Sequence, residues 1–145
     1  AALLAGAFGS QYFGGLTPCE MCWWQRYAHI VALVPALLAF TAPAGSGRAR
    51  TLVLLAAAAI AVSGGIGVYH AGVEIHIFKG FTTCTSTAHA TSNTELLKQI
   101  MAEPLIRCDE IQWKFLGLSM AGWNAVISLG SATTIAMLTV LGLRR

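Results

Sequence analysis

The chain has 145 residues, 56% of them hydrophobic and 10% charged, with a mean hydropathy of +0.66. Soluble domains carry roughly 25% charged residues, so this balance excludes an ordinary water-soluble domain and points to one built for lipid. The net charge of +3 comes from nine Lys and Arg against six acids; their placement speaks of membrane topology, and no nucleic-acid role follows from it.

A bilayer core about 30 Å thick needs about 20 mostly apolar residues per helix. Four windows without Asp, Glu, Lys or Arg answer to that: Ala1–Leu16, Tyr27–Ala42, Thr51–Tyr69 and Phe115–Leu143. They predict one all-α integral membrane domain over 1–145, a four-transmembrane-helix bundle. The spans fall at about 1–16, 23–41, 51–71 and 115–143, with a long loop over about 72–114.

The first window is short and starts at alanine, so it is expected to be the trimmed end of a first membrane helix. A signal-peptide core is the rival reading; no A-x-A-like site precedes Cys19, and "FGSQYFGG" reads as packed helix. The second helix is expected from near Pro18 or Trp23 to Phe40, ahead of Pro43 and Gly45-Ser46-Gly47. Pro35 predicts a kink inside it, tolerated in lipid where neighbouring helices satisfy the freed carbonyl. In the third, Ser63-x-x-x-Gly67 is the spacing of small residues that lets helices approach closely. The loop holds the polar "TSTAHATSN", expected to be mobile, and then Ser92-x-x-Glu95, a capping box. Leu96, Leu97, Ile100 and Met101 follow on one face, limited by Pro104. A short amphipathic helix is expected, on the bilayer surface or against the end of the bundle.

Arg48 and Arg50 flank the second loop, and Arg144 and Arg145 close the chain. Lys and Arg in short flanks mark the cytoplasmic side, which puts both termini there. The opposite side receives all six acids and all four cysteines. Trp23, Trp24, Trp113 and Trp123 gather near that face, as rings at a headgroup boundary do.

The four cysteines are Cys19-x-x-Cys22, Cys84 and Cys108. Disulfides persist outside the cytosol. A structural staple, which gains from closing a long loop, suits Cys84 with Cys108 and explains Cys19 with Cys22 poorly. A C-x-x-C motif at a helix N-terminus beside a cation has a lowered thiol pKa, and the thiolate is the reactive species. Four cysteines allow three connectivities. Arg26 lies one turn after Cys22 and shares its face. A charge inside a membrane helix is a functional hypothesis by default. Snorkelling to the headgroups is the plain alternative, and beside the cysteines the functional reading is preferred. His29 extends the same face as a packed or hydrogen-bonded histidine. His70 closes the third helix near the depth of Arg26 and is the better candidate for a ligand pocket. His76 and His89 need no role.

No metal is expected. A zinc half-site wants a second close cysteine pair, and a c-type haem wants C-x-x-C-H where Trp23 follows Cys22. A b-type haem between His29 and His70 stays open on the histidines alone and leaves the cysteines unexplained.

"QYFGGLTPCEMCWWQRY", "YHAGVE" and "RCDEIQWKFLGLSM" resemble the disulfide-bond formation protein B (DsbB) family of bacterial inner membranes, over about Gln11 to Trp123. The resemblance implies a multi-pass thiol:quinone oxidoreductase with its loop in the periplasm. Such an enzyme reoxidises DsbA, a soluble dithiol oxidase of thioredoxin-like fold, within the system that keeps that compartment oxidising. Cys84 would be the loop sulfur attacked by the partner and Cys108 its loop mate. Cys19 and Cys22 would receive the electrons and pass them to ubiquinone or menaquinone. Cys22 would contact the quinone, Arg26 would stabilise the thiolate and the developing oxyanion, and His70 would lie near the quinone. DsbA is a strong oxidant at about −120 mV, so its reoxidation calls for a sink such as quinone. Two further readings stand beside this one. A vitamin K epoxide reductase-like protein would carry its C-x-x-C late in the bundle, and a membrane scaffold would use the cysteines as staples.

Overall fold

The structure is a computed structural model that describes residues 1–80, 94 and 107–142. Cys84, the expected amphipathic helix after Ser92, His89 and the terminal arginines lie outside the described residues. Among the described residues the chain is mostly helical: α1 (Ala2–Tyr12), α2 (Glu20–Ala39), α3 (Gly47–Glu74), a small hairpin β1 (Lys114–Phe115) and β2 (Leu118–Ser119), and α4 (Met120–Leu141).

Local chemistry sets where the helices start. The side chains of Cys19, Ser46 and Ser119 accept the backbone N–H groups of Cys22, Ala49 and Gly122. Each thereby satisfies a donor that the first helical turn leaves unpaired. α2 runs through Pro35 as one helix.

The fourth helix begins later than the apolar window suggests. Leu116 and Gly117 have φ of 50° and 81°, the pair of positive values that a two-residue type I′ turn requires. They close a hairpin with Lys114 opposite Ser119 and Phe115 opposite Leu118. Hydropathy is blind to that backbone reversal, so the window ran straight through it.

α3 packs along both α2 and α4, while α1 touches α2 more lightly. The buried faces of α3 and α4 are built from small side chains: Ala56, Ala57 and Ser63 on α3, with Ala121, Ala125, Ser128 and Ala132 on α4. Gly67 is one point of close approach. A Cβ there would sit 3.0 Å from the carbonyl oxygen of Ala121 and 3.1 Å from the amide nitrogen of Ala125. The expected Ser63/Gly67 pair therefore splits its work: Gly67 admits α4, and Ser63 donates a hydrogen bond to the Gln25 carbonyl of α2 at 3.0 Å.

Many of the large apolar residues face outward. Val31, Val34 and Leu37 on α2 and Met137 and Leu138 on α4 are all exposed, which suits a lipid surround and not water. α3 and α4 are long and apolar enough to cross a membrane.

Candidate active site

The site gathers where α2 begins and α3 ends. Cys19 is the N-cap of α2 in extended backbone, and the next turn brings Cys22 to it, with the sulfurs 3.1 Å apart. The Cys22 amide donates to the Cys19 sulfur at 3.4 Å. A helix N-terminus carries partial positive charge, which favours negative charge on the Cys22 sulfur in the first turn.

Cys108 arrives from the far side of the loop and is 6% exposed, packed with Cys19, Met21 and Val73. Gln112 anchors its segment by donating to the Thr17 carbonyl at 2.9 Å. Arg107 forks onto the Asp109 carboxylate; that hydrogen bond holds the exposed carboxyl below its ordinary range. Cys19, outside the helix it caps, has its thiol pushed up. Its hydrogen bond with the Cys108 thiol is the first cause, followed by Cys22 and burial.

Arg26 is 5% exposed and does not snorkel. Its guanidinium donates to the Gln11 side-chain oxygen and, at 2.9 Å, to the Ala7 carbonyl. It also lies 4.9 Å from the ring centres of both Phe8 and Trp23, a cation–π arrangement. α1 thus earns its place in the site by fixing the charge. Behind it, His70 stands with Nε2 3.5 Å from the Cys19 sulfur and 3.8 Å from Glu74 Oε1.

Cys19, Cys22, Arg26 and His70 line one cavity of about 630 Å³, whose apolar wall includes Leu4 and Met120. Cys108 stands against Cys19. Five of the six residues expected from sequence are therefore together, and the sixth, Cys84, falls outside the described residues. Four others were missed: Gln11, Gln25, Glu74 and Asn124. A signal existed for two of them. Gln25 sits beside Arg26, and Asn124 is the one amide residue in the last apolar window; polar side chains buried in a membrane bundle need partners.

Cys19, His70 and Cys108 each offer a ligand atom, all within 4.8 Å of one another, the donor set of a thiophilic ion. A metal-bound imidazole gives its second N–H to an acceptor. Here Gln25 Nε2 lies 2.9 Å from His70 Nδ1 and supplies the hydrogen, so the arrangement does not fit a metal ligand.

The family model for "Disulfide bond formation protein DsbB" matches residues 1–138. The chain belongs to the DsbB family. A disulfide bond formation protein B of Marinobacter nauticus is 33% identical over 99% of this chain and 83% of its own length. Those of Xanthomonas campestris and Azoarcus are 35% and 30% identical, over 91% and 99% of this chain and 79% and 87% of their own. No solved structure matches the chain. As a DsbB-family protein it is a membrane oxidoreductase that generates disulfides, and the clustered thiols are the chemistry such an enzyme needs.

Proposed function

We propose that this DsbB-family enzyme takes two electrons from a reduced DsbA-like oxidase of the periplasm through Cys84 and Cys108. It passes them through Cys19 and Cys22 to ubiquinone or menaquinone held beside Arg26. The observation that carries this reading is the contiguity of the groups: Cys108 packs against Cys19, Cys19 touches Cys22, and Cys19, Cys22 and Arg26 line one cavity. The finer architecture belongs to the same proposal. All four helices span the bilayer, both termini are cytoplasmic, the cysteines face the periplasm, and the loop carries a short amphipathic helix.

The thiol steps balance within the chain. A partner thiolate opens the Cys84–Cys108 disulfide at Cys84, and Cys108 leaves as the thiolate. Cys108 then attacks Cys19, forming the Cys108–Cys19 bond and breaking Cys19–Cys22, so that Cys22 departs with the electron pair beside Arg26. When the partner's second thiolate closes its own disulfide, Cys84 is freed to attack Cys108. That restores the loop disulfide and releases Cys19. Thiolates do the attacking throughout.

The cavity fits a quinone headgroup: it is apolar, it opens beside a thiol, and it holds one buried cation. A bound quinone supplies a sink for two electrons and two protons. Arg26 would bind and orient it, and the Gln11 and Ala7 oxygens hold Arg26 so that little reorganisation is needed when charge develops.

The test uses the protein purified with lipid, a reduced DsbA-like oxidase and a quinone followed by absorbance. Quinone reduction is expected with the intact protein and lost in Cys84→Ser. Equal turnover without Cys84 would show that the loop relay is wrong.

A further inference from the structure

Two amides stand between the cysteines and the middle of the bundle, and their orientation is fixed by backbone carbonyls, which only accept. Gln25 Nε2 bonds the Met21 carbonyl at 3.2 Å and Asn124 Nδ2 bonds the Ser63 carbonyl at 3.2 Å. Both nitrogens therefore face those carbonyls, and both side-chain oxygens face the other way. The remaining bonds then have only one direction. His29 Nε2–H donates to Asn124 Oδ1 at 2.9 Å, where Ser128 Oγ also donates. Asn124 Nδ2 donates to Gln25 Oε1 at 2.7 Å. Gln25 Nε2 donates to His70 Nδ1 at 2.9 Å. An imidazole that accepts at Nδ1 carries its hydrogen on Nε2, and Nε2 is the atom that faces Cys19. Last, the Cys19 thiol, with one hydrogen to give, faces both Cys22 and Cys108. The bonds run head to tail from His29 to Cys19, an arrangement in which each polarises the next.

We propose that Gln25 and Asn124 are positioning residues that fix His70 as the Nε2–H tautomer, aiming that hydrogen at the Cys19 sulfur to support it when it leaves Cys108. This deepens the proposed relay and rests on it. The relay has two leaving sulfurs. Cys22 leaves Cys19 beside Arg26. Cys19 leaves Cys108 when the loop disulfide closes: the Cys84–Cys108 bond forms, the Cys108–Cys19 bond breaks, and the electron pair goes to Cys19. Arg26 bonds oxygens of Gln11 and Ala7 and lies one helical turn after Cys22. The single Nε2 hydrogen of His70 has two acceptors within reach, the Cys19 sulfur and the Cys108 main chain, both at the junction where that sulfur–sulfur bond breaks. Glu74, with a side chain 7% exposed, also faces His70, so a doubly protonated ring is the competing arrangement. The Gln25 N–H directed at Nδ1 opposes it, because two hydrogens cannot share one lone pair.

The experiment is ¹⁵N NMR of histidine-labelled, reduced protein in lipid, with the His70 signals assigned by their loss in His70→Phe. The expected spectrum shows hydrogen on Nε2 and a bare, hydrogen-bonded Nδ1. Hydrogen on Nδ1, or on both nitrogens, overturns the proposal without recourse to any further variant. Gln25→Met, similar in size, is expected to replace the single signature by mixed or doubly protonated signals. An unchanged signature in Gln25→Met would remove Gln25 from the role. With a reduced DsbA-like partner and quinone, Gln25→Met and His70→Phe should accumulate the Cys19–Cys108 disulfide, read by peptide mapping. Turnover should fall roughly tenfold, the effect of one hydrogen bond. A Gln25 that served folding alone would lower the unfolding temperature without accumulating that disulfide. If the parent protein itself fails to reduce quinone, the relay is wrong while the ring result still stands.

Discussion

Arg26 shows how one side chain is read at three depths. Its position inside an apolar run already marked it, because an unpaired charge in lipid is costly. Only the fold shows that its fork is held by Gln11, the Ala7 carbonyl and two aromatic rings. Arg26→Ala is expected to raise the KM for quinone roughly ten- to a hundredfold, the range for a lost charge-assisted hydrogen bond. Arg26→Lys should recover only part of it, since an ammonium cannot reproduce the planar fork; full recovery would mean that charge alone is used. The sulfurs give a second expectation. With Cys22→Ser, Cys19 has lost its near partner and lies beside Cys108, so mild oxidation should join Cys19 to Cys108 in peptide maps. A third concerns pH. The Cys108 thiol is the first cause that raises Cys19, so alkylation of Cys19 in the reduced parent should begin only above the ordinary thiol range. In Cys108→Ser that onset should move to lower pH, and an onset that stays in place would contradict the Cys19–Cys108 pairing.

At the level of elements, the α3–α4 seam is tight at two glycines. A Cβ at Gly67 would meet backbone atoms of α4 at 3.0 and 3.1 Å, and one at Gly64 would meet Leu129 at its Cγ, 2.8 Å, and at its backbone nitrogen, 3.1 Å. A helix backbone cannot turn aside as the tip of a side chain can. Gly67→Ala and Gly64→Ala should therefore each lower stability by about 1–3 kcal/mol, the usual cost of overpacking. Thermal unfolding in detergent checks this; an unchanged unfolding temperature in either variant would mean that α3 and α4 are not pressed together at that glycine. The hairpin before α4 shows why an apolar window alone misplaced a helix start. Phe115, Leu116 and Leu118 raise hydropathy whether they lie in a helix or in a turn, and the backbone reversal at Leu116–Gly117 leaves no mark on that scale.

For the whole molecule, the charge asymmetry makes a topological statement that can be measured. The proposed orientation puts the Gly45 loop in the cytoplasm. A cysteine introduced there, in a background with the natural cysteines protected, should resist a membrane-impermeant thiol reagent in intact cells and react once the membrane is opened. Labelling in intact cells would reverse the orientation and with it the side from which a partner could approach Cys108.

The amino-acid sequence by itself determined the membrane setting and the helical character of the chain, and it singled out the Cys19–Cys22 pair and Arg26 as candidates for chemistry. Those follow from composition, spacing and the cost of a charge in lipid, which are properties of short stretches. Tertiary structure alone decided that Cys108 lies against Cys19 and that Arg26 is gripped by α1. It also decided that Gln25 and Asn124 join two histidines in one directed chain. These depend on pairs of residues as far apart as 25 and 124, and no local pattern encodes which distant partner satisfies a buried polar group. Folding settles the matter, because a buried amide left without a partner costs more than any alternative packing recovers.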